Sequence, residues 1–215
     1  MTRYAAAIFD LDGTLIGTER MLIDTCIQTL ARYGHTVSRD FVISMVGVSE
    51  AEGFDRICTH IGVRLDPVEF GATWSMANQA AYAKGIPLMP GVDTLLAGLK
   101  AQGIPHAVAT NSSTAGALRK LGLAGIGQTF EHVVGFDAVT TPKPAPDVFL
   151  AAAALLGADP ADCIAFEDSD PGVIAALAAG MTVVHVPDMA TPRQNGAHHL
   201  AGSILEGARL AGLMV

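Results

Sequence analysis

Two aspartates two residues apart, Asp10 and Asp12 in the stretch FDLDGTL, close an apolar run and are followed at once by Gly13. Carboxylates facing one crevice repel each other unless positive charge lies between them, and a hard divalent cation such as Mg2+ relieves that repulsion through oxygen ligands. Held in that way, Asp10 could act as metal ligand and as an oxygen nucleophile. Asp12 could pass a proton to a leaving oxygen and later take one from water. The same residues also suit a plain turn, with Asp12-Gly13 at its apex and Asp10 as its cap.

Three more polar clusters bear on that choice. Thr110 and Asn111, in ATNSST, offer a hydroxyl, an amide and the start of a following helix. That combination suits phosphoryl oxygens and equally suits ordinary helix capping. Lys143, in TPKPAPD, stands between two prolines that restrict its backbone, so its ammonium can be aimed with little entropic loss. It could neutralise Asp10 and an incoming phosphate, or stand as a solvated loop lysine. Glu167 and Asp168, after CIAF, add carboxylate oxygens of the kind a hard cation takes, and adjacent acids at the end of an apolar run are poorly explained as mere surface.

The Asp10, Thr110 and Glu167 clusters each follow a short apolar run, and these runs must be the elements that position them. Tyr4 to Phe9, Pro105 to Ala109, Cys163 to Phe166 and Thr182 to Val186 read as strands buried on both faces. Between them the spacing predicts helices over Gly91 to Ala101, Thr114 to Leu121, Pro146 to Leu156 and Pro171 to Ala179, each stopped by a glycine. Alternating strands and helices give an α/β fold: a parallel sheet with helices on both faces and ligands outside the carboxyl ends of its strands. The Asp10, Thr110 and Glu167 clusters lie there. Asp170, ahead of Pro171, is expected to cap its helix.

The stretch from Thr18 to Lys84 breaks the rhythm. MLIDTCIQTLARYG, FDRICTHIG and DPVEFGATWSMANQAAYAKG are helical patterns with no strand between them. They predict a helical insertion over 17–87, entered at Gly17 and left near IPLMPG, with the main domain formed by 1–16 and 88–215. Insertions at such a rim commonly act as lids. Trp74 and Met76, at helical spacing, are expected in the core of the insertion. The tail from Ala190 reads as a loop and a closing helix, with His198 and His199 a solvated pair.

Composition narrows the partners. The chain has 215 residues, enough for one domain with a smaller insertion and a real core. A formal net charge of −8 argues against nucleic acid and anionic membranes, which need a basic face, so any phosphate must be met locally. Cys26, Cys58 and Cys163 are odd in number and widely spaced, which indicates buried thiols rather than a disulfide framework or a zinc site. With no secretory leader pattern and no long apolar segment, a cytoplasmic protein is expected, a monomer or weak dimer acting on a small molecule.

FDLDGTL, ATNSS, KPAPDVF and FEDSDPG, in this order, resemble the four motifs of the haloacid dehalogenase superfamily, in the branch with a helical cap inserted after the first motif. The resemblance spans nearly the whole chain. It implies a Rossmann-like core and Mg2+-dependent phosphoryl chemistry on a small phosphorylated metabolite, plausibly a sugar phosphate, through an aspartyl-phosphate. Carried over, Asp10 is the nucleophile and Asp12 the general acid/base. Thr110 and Lys143 bind the phosphoryl group, and Asn111 is beside substrate. Asp10, Asp12 through its backbone carbonyl, Glu167 and Asp168 surround the metal. Thr18, Glu19 and Glu50 of the cap are candidate substrate contacts.

Within that superfamily, Asp12 argues against the dehalogenases and phosphonate hydrolases, which lack the second aspartate. Phosphosugar mutases of the beta-phosphoglucomutase type resemble the third and fourth motifs closely. Their cap carries a histidine where this chain has Leu22 and an arginine where it has Glu50, and an acid there would repel a second phosphate. Hydrolysis is therefore the preferred reading and mutase activity the alternative; a catalytically silent, metal-binding regulatory protein on this fold is a third reading, against which the set Asp10, Asp12, Lys143 and Asp168 weighs. Gly17 and Gly172 stand where many relatives carry acids.

Overall fold

The computed structural model describes residues 4–46, 48–189 and 196–213, the side chain of Glu50 excepted. The chain divides into two compact units, one formed by Met1–Gly17 with Ile86–Val215 and the other by Thr18–Gly85.

The first unit begins with β1 (Ala6–Phe9), whose four residues are all buried. The chain then enters the second unit, which consists of α1 (Thr18–Arg32), α2 (Arg39–Ile43), α3 (Glu50–Ile61) and α4 (Pro67–Tyr82). Back in the first unit come α5 (Val92–Ala101), β2 (His106–Ala109), α6 (Thr114–Leu123), β3 (His132–Val134), α7 (Asp147–Leu155), β4 (Cys163–Glu167), α8 (Asp170–Ala178), β5 (Thr182–His185), β6 (His199–Leu200) and α9 (Ile204–Leu210).

The six strands form one sheet in the order β3-β2-β1-β4-β5-β6, and every pairing is parallel. This is a doubly wound arrangement, in which chain order reverses between β1 and β4 and opens a crevice at their carboxyl ends. Phe9 pairs with Val108 on one side and with Phe166 on the other. The next residues outward are therefore Asp10, Ala109 then Thr110, and Glu167, all at one rim.

Alternation along the strands sends successive side chains to opposite faces. Ala6, Ile8, Ala107, Ala109, Ala165 and Val183 pack with Val148, Phe149 and Ala152 of α7 and Val173 and Ala176 of α8. On the other face Phe9 stacks on Phe166 with centroids 5.0 Å apart and meets Phe130 edge-on at 6.2 Å. Gly207 brings α9 so near this face that a Cβ there would lie 2.3 Å from Val184. Small residues on one face and aromatics on the other set how closely each helix layer approaches, and so fix the rim.

The two crossings run side by side: the Gly17 amide bonds the Pro87 carbonyl at 2.9 Å and the Met89 amide the Leu15 carbonyl at 2.9 Å. Several expectations need correction. β3 and β6 are additional strands, the former only three residues long and the latter only two. β6 puts His199 in the sheet, and His198 accepts from the Val183 amide at 3.1 Å. Of the tail from Ala190 read as a loop and a closing helix, residues 190–195 lie outside the described residues and the helix is α9. α8 is capped by Ser169, whose hydroxyl accepts from the Gly172 amide, while Asp170 is its first helical residue.

In the helical unit α1 packs along α4, where Trp74 Nε1 donates to Thr25 at 3.1 Å and Phe70 lies 6.0 Å from both Tyr33 and Trp74. Trp74 is half-buried, but Met76 is 65% exposed, so it is not a core residue of this helix. Among the described residues no helix is long and apolar enough to cross a membrane.

Candidate active site

Asp10 follows directly on β1, its amide held at 3.0 Å by the Phe166 carbonyl. Its carboxylate is buried and receives the Lys143 ammonium at 2.6 Å. The same ammonium lies 2.6 Å from Glu167 Oε1 and 4.9 Å from the centre of the Phe149 ring. Lys143 is brought in by the loop ahead of α7, which Asn111 braces at both ends of its amide. Asn111 Oδ1 accepts from the Lys143 amide at 2.9 Å, and its Nδ2 donates to the Lys143 carbonyl at 3.2 Å. Asn111, expected beside substrate, thus has both ends of its amide engaged with the lysine backbone.

Glu167 ends β4 and has no exposed surface. Its Oε2 accepts from the amides of Asp168 and Ser169 and from the Ser169 hydroxyl, at 3.0 to 3.1 Å. The bare α-carbon of Gly172 is what admits this carboxylate, since a Cβ there would lie 1.8 Å from Glu167 Oε1. Position 172 therefore has no room for an acid while Glu167 is turned this way. Asp168 comes next, its Oδ1 accepting from Thr14 at 3.3 Å and its carbonyl from His185 Nε2 at 2.9 Å. Gly13, at φ +89°, passes so close that a Cβ would be 2.2 Å from Asp168 Oδ2.

Asp10, Glu167 and Asp168 form a buried group whose ligand oxygens lie within 4.8 Å of one another. Burial pushes the Asp10 carboxyl up to about 8, with Glu167 and Asp12 adding to the shift and Lys143 opposing it. For Lys143, burial alone would lower the ammonium's affinity for its proton, but the carboxylates of Asp10 and Glu167 outweigh it and raise it. One lysine does not balance the negative charge gathered here. Buried carboxylate oxygens short of positive charge are a donor set that fits a hard cation. Asp10 and Asp168 are its candidate donors, while the oxygens of Glu167 take Lys143 and three further hydrogen bonds.

The Asp12 carboxylate is not in that group. It turns to α6, where Lys120 Nζ lies 2.8 Å from Oδ1 and 2.7 Å from Oδ2, and Ser112 Oγ donates to Oδ2 at 2.8 Å. The Asp12 side chain is thus turned away from the Asp10, Glu167 and Asp168 oxygens and towards Lys120 and Ser112. Thr110 is buried just past the end of β2, and its hydroxyl accepts from the Ser112 amide at 3.1 Å.

Thr18 and Glu19 begin α1 in the helical unit, and Glu50 begins α3, its side chain outside the described residues. Within that unit lies a cavity of about 830 Å3, whose wall includes Glu19, Leu22, Phe54, Ile57, Phe70 and Trp74. The sequence reading missed Thr14, Ser112, Lys120 and His185. Of these, Thr14 and Ser112 lay inside the quoted motifs FDLDGTL and ATNSS, and Lys120 and His185 lay outside every motif.

A parallel sheet in this order, with acids and a buried lysine at its switch point, defines a doubly wound α/β enzyme core. Residues 7–186 match the family of haloacid dehalogenase-like hydrolases, and the chain belongs to it. The chain is 35% identical over 202 residues to a bifunctional riboflavin kinase/FMN phosphatase of Arabidopsis thaliana, covering 94% of this chain but 52% of that one, about half its length. It is 34% identical over 184 residues to a fructose-1-phosphate phosphatase of Escherichia coli, covering 86% of this chain and 97% of the relative. Among solved structures, a hydrolase of the same family from Deinococcus radiodurans R1, with bound phosphate and sodium, superposes with a TM-score of 0.84 at 28% identity, covering 100% of this chain and 99% of that one.

Proposed function

We propose that the protein is a Mg2+-dependent phosphatase that hydrolyses a small phosphomonoester, plausibly a sugar phosphate, through an aspartyl-phosphate on Asp10. The observation that carries this is the buried Lys143 ammonium, 2.6 Å from both Asp10 and Glu167 beside Asp168. Phosphoryl transfer needs in-line attack and charge neutralisation more than covalent assistance. Asp10 supplies the attacking oxygen, Lys143 balances charge on the equatorial oxygens, and Thr110 donates its hydroxyl to one of them. Asp12 protonates the leaving oxygen and then takes a proton from the water that frees inorganic phosphate. Mg2+, held by Asp10, Asp168 and the Asp12 carbonyl with Glu167 alongside, would supply charge neutralisation and orientation of the phosphate.

The match to phosphatases among the relatives supports the reaction class. In this reading 18–85 is a cap that sets selectivity, with Thr18, Glu19 and Glu50 as substrate contacts, and the rest is the catalytic core. The test is release of inorganic phosphate from a panel of phosphosugars and generic esters, with and without Mg2+. Equal inertness of wild type and Asp10→Asn across the panel would refute the proposal. Isomer formation from a sugar 1-phosphate and a bisphosphate primer, faster than phosphate loss, would replace it with mutase chemistry.

A further inference from the structure

The segment from β2 through α6 has two separate tasks at the pit. Asn111 holds the Lys143 backbone, whereas Ser112 and Lys120 converge on Asp12. Lys120 stands near the end of α6, a helix started by the Ser113 cap, and it reaches a residue 108 positions away in the chain. Its ammonium spans both Asp12 oxygens and also lies 3.0 Å from Ser112 Oγ, closing a three-membered network. A carboxylate has about four lone-pair sites. Three are taken here by Lys120 and Ser112.

An exposed ion pair would do little for the fold. This one is partly buried, with side-chain exposures of 20% for Lys120 and 27% for Asp12, and its geometry fixes a carboxylate rather than merely pairing charge. A group that carries a proton to a leaving oxygen must be held within hydrogen-bond reach, and small misplacements cost rate steeply.

We propose that Lys120 is a positioning residue which, with Ser112, sets the orientation of the Asp12 carboxylate for proton transfer. The proposal rests on the reading of Asp12 as the general acid/base. The hydrogen bonds of Lys120 go to Asp12 and Ser112, so its effect should pass through the Asp12 carboxylate and the serine that shares it. In chemical terms, Lys120 and Ser112 donate hydrogen bonds and exchange no proton; the proton moves between Asp12, the leaving oxygen and water.

The test combines kinetics with structure. Lys120→Met should lower kcat by roughly 10–100-fold, the usual range for losing a partner that orients a reacting group. KM should stay within about two-fold of wild type, because substrate binding is not what was removed. Lys120→Arg, which can still span both oxygens, should recover most of the loss. In an Asp12→Asn background Lys120→Met should add nothing further. A crystal structure of each variant reads the Asp12 rotamer without turnover: it should change with methionine and persist with arginine. An unchanged Asp12 rotamer in Lys120→Met, a rise in KM alone, or a kcat loss that persists undiminished in Asp12→Asn would overturn the proposal. If wild type hydrolyses no ester, the phosphatase reading falls while the rotamer comparison still decides the role of Lys120.

Discussion

Lys143→Met isolates the electrostatics of the pit. The lysine side chain is 3% exposed and pairs with two carboxylates at 2.6 Å. Methionine keeps much of the volume over Phe149 but removes the charge, so Asp10 and Glu167 are left facing each other. Breaking a buried pair by deleting one partner costs about 3–5 kcal/mol. For a chain of this length each kcal/mol lowers Tm by about 2–4 °C, so the metal-free variant should melt roughly 10 °C below wild type in mild alkali. The loss should also depend on pH. Asp10 is pushed up to about 8 by burial first, with Lys143 opposing, and removing the lysine raises it further. Between the unfolded aspartate value near 4 and the folded value, the native state holds a proton that the unfolded chain has released, and stability falls as pH rises. In wild type that fall ends near pH 8. In the variant it continues, so the gap between the two proteins widens above about pH 8 and narrows towards about pH 6. Circular dichroism melts of chelator-treated protein across that range would measure it. A Tm gap that is absent, or that widens towards acid, would refute the reasoning.

Three more outcomes follow from the same geometry. Gly13→Ala puts a Cβ 2.2 Å from Asp168 Oδ2 at a backbone φ of +89°, and phosphate release should fall by about 100-fold or more in steady-state assays. Gly172→Ala drives a Cβ to 1.8 Å from Glu167, which must leave its partners, and the urea midpoint should report a loss of about 2 kcal/mol or more. Because Mg2+ binds the ionised Asp10, its apparent affinity by calorimetry should rise by about tenfold per pH unit up to near pH 8 and then level off; tighter binding in acid would argue against Asp10 as a ligand.

Most residues that were legible in the sequence are those that end buried strands, while Lys143 was legible from the prolines on either side of it. AAIF, HAVA and CIAFE carry almost no polar residue, so each abrupt change to Asp10, Thr110 and Glu167 marks a rim. β3 and β6 were not legible because HVV and HL are too short to show a period and include histidine. Ser169 was passed over as the α8 cap because Asp170-Pro171 carries the same signal one residue later. Lys120 and His185 left no trace of their roles. A lysine on a short helix and a histidine within a strand acquire partners only when packing brings distant segments together, and spacing along the chain does not encode that.

In the proposed reaction Asp10 itself receives the phosphoryl group. Rapid acid quench of wild type turning over a radiolabelled phosphoester with Mg2+, followed by peptide mapping, measures this directly. The account predicts a hydroxylamine-labile label on the peptide containing Asp10, and none in Asp10→Asn. Phosphate released at full rate with the label on another residue, or undiminished turnover by Asp10→Asn, would contradict it.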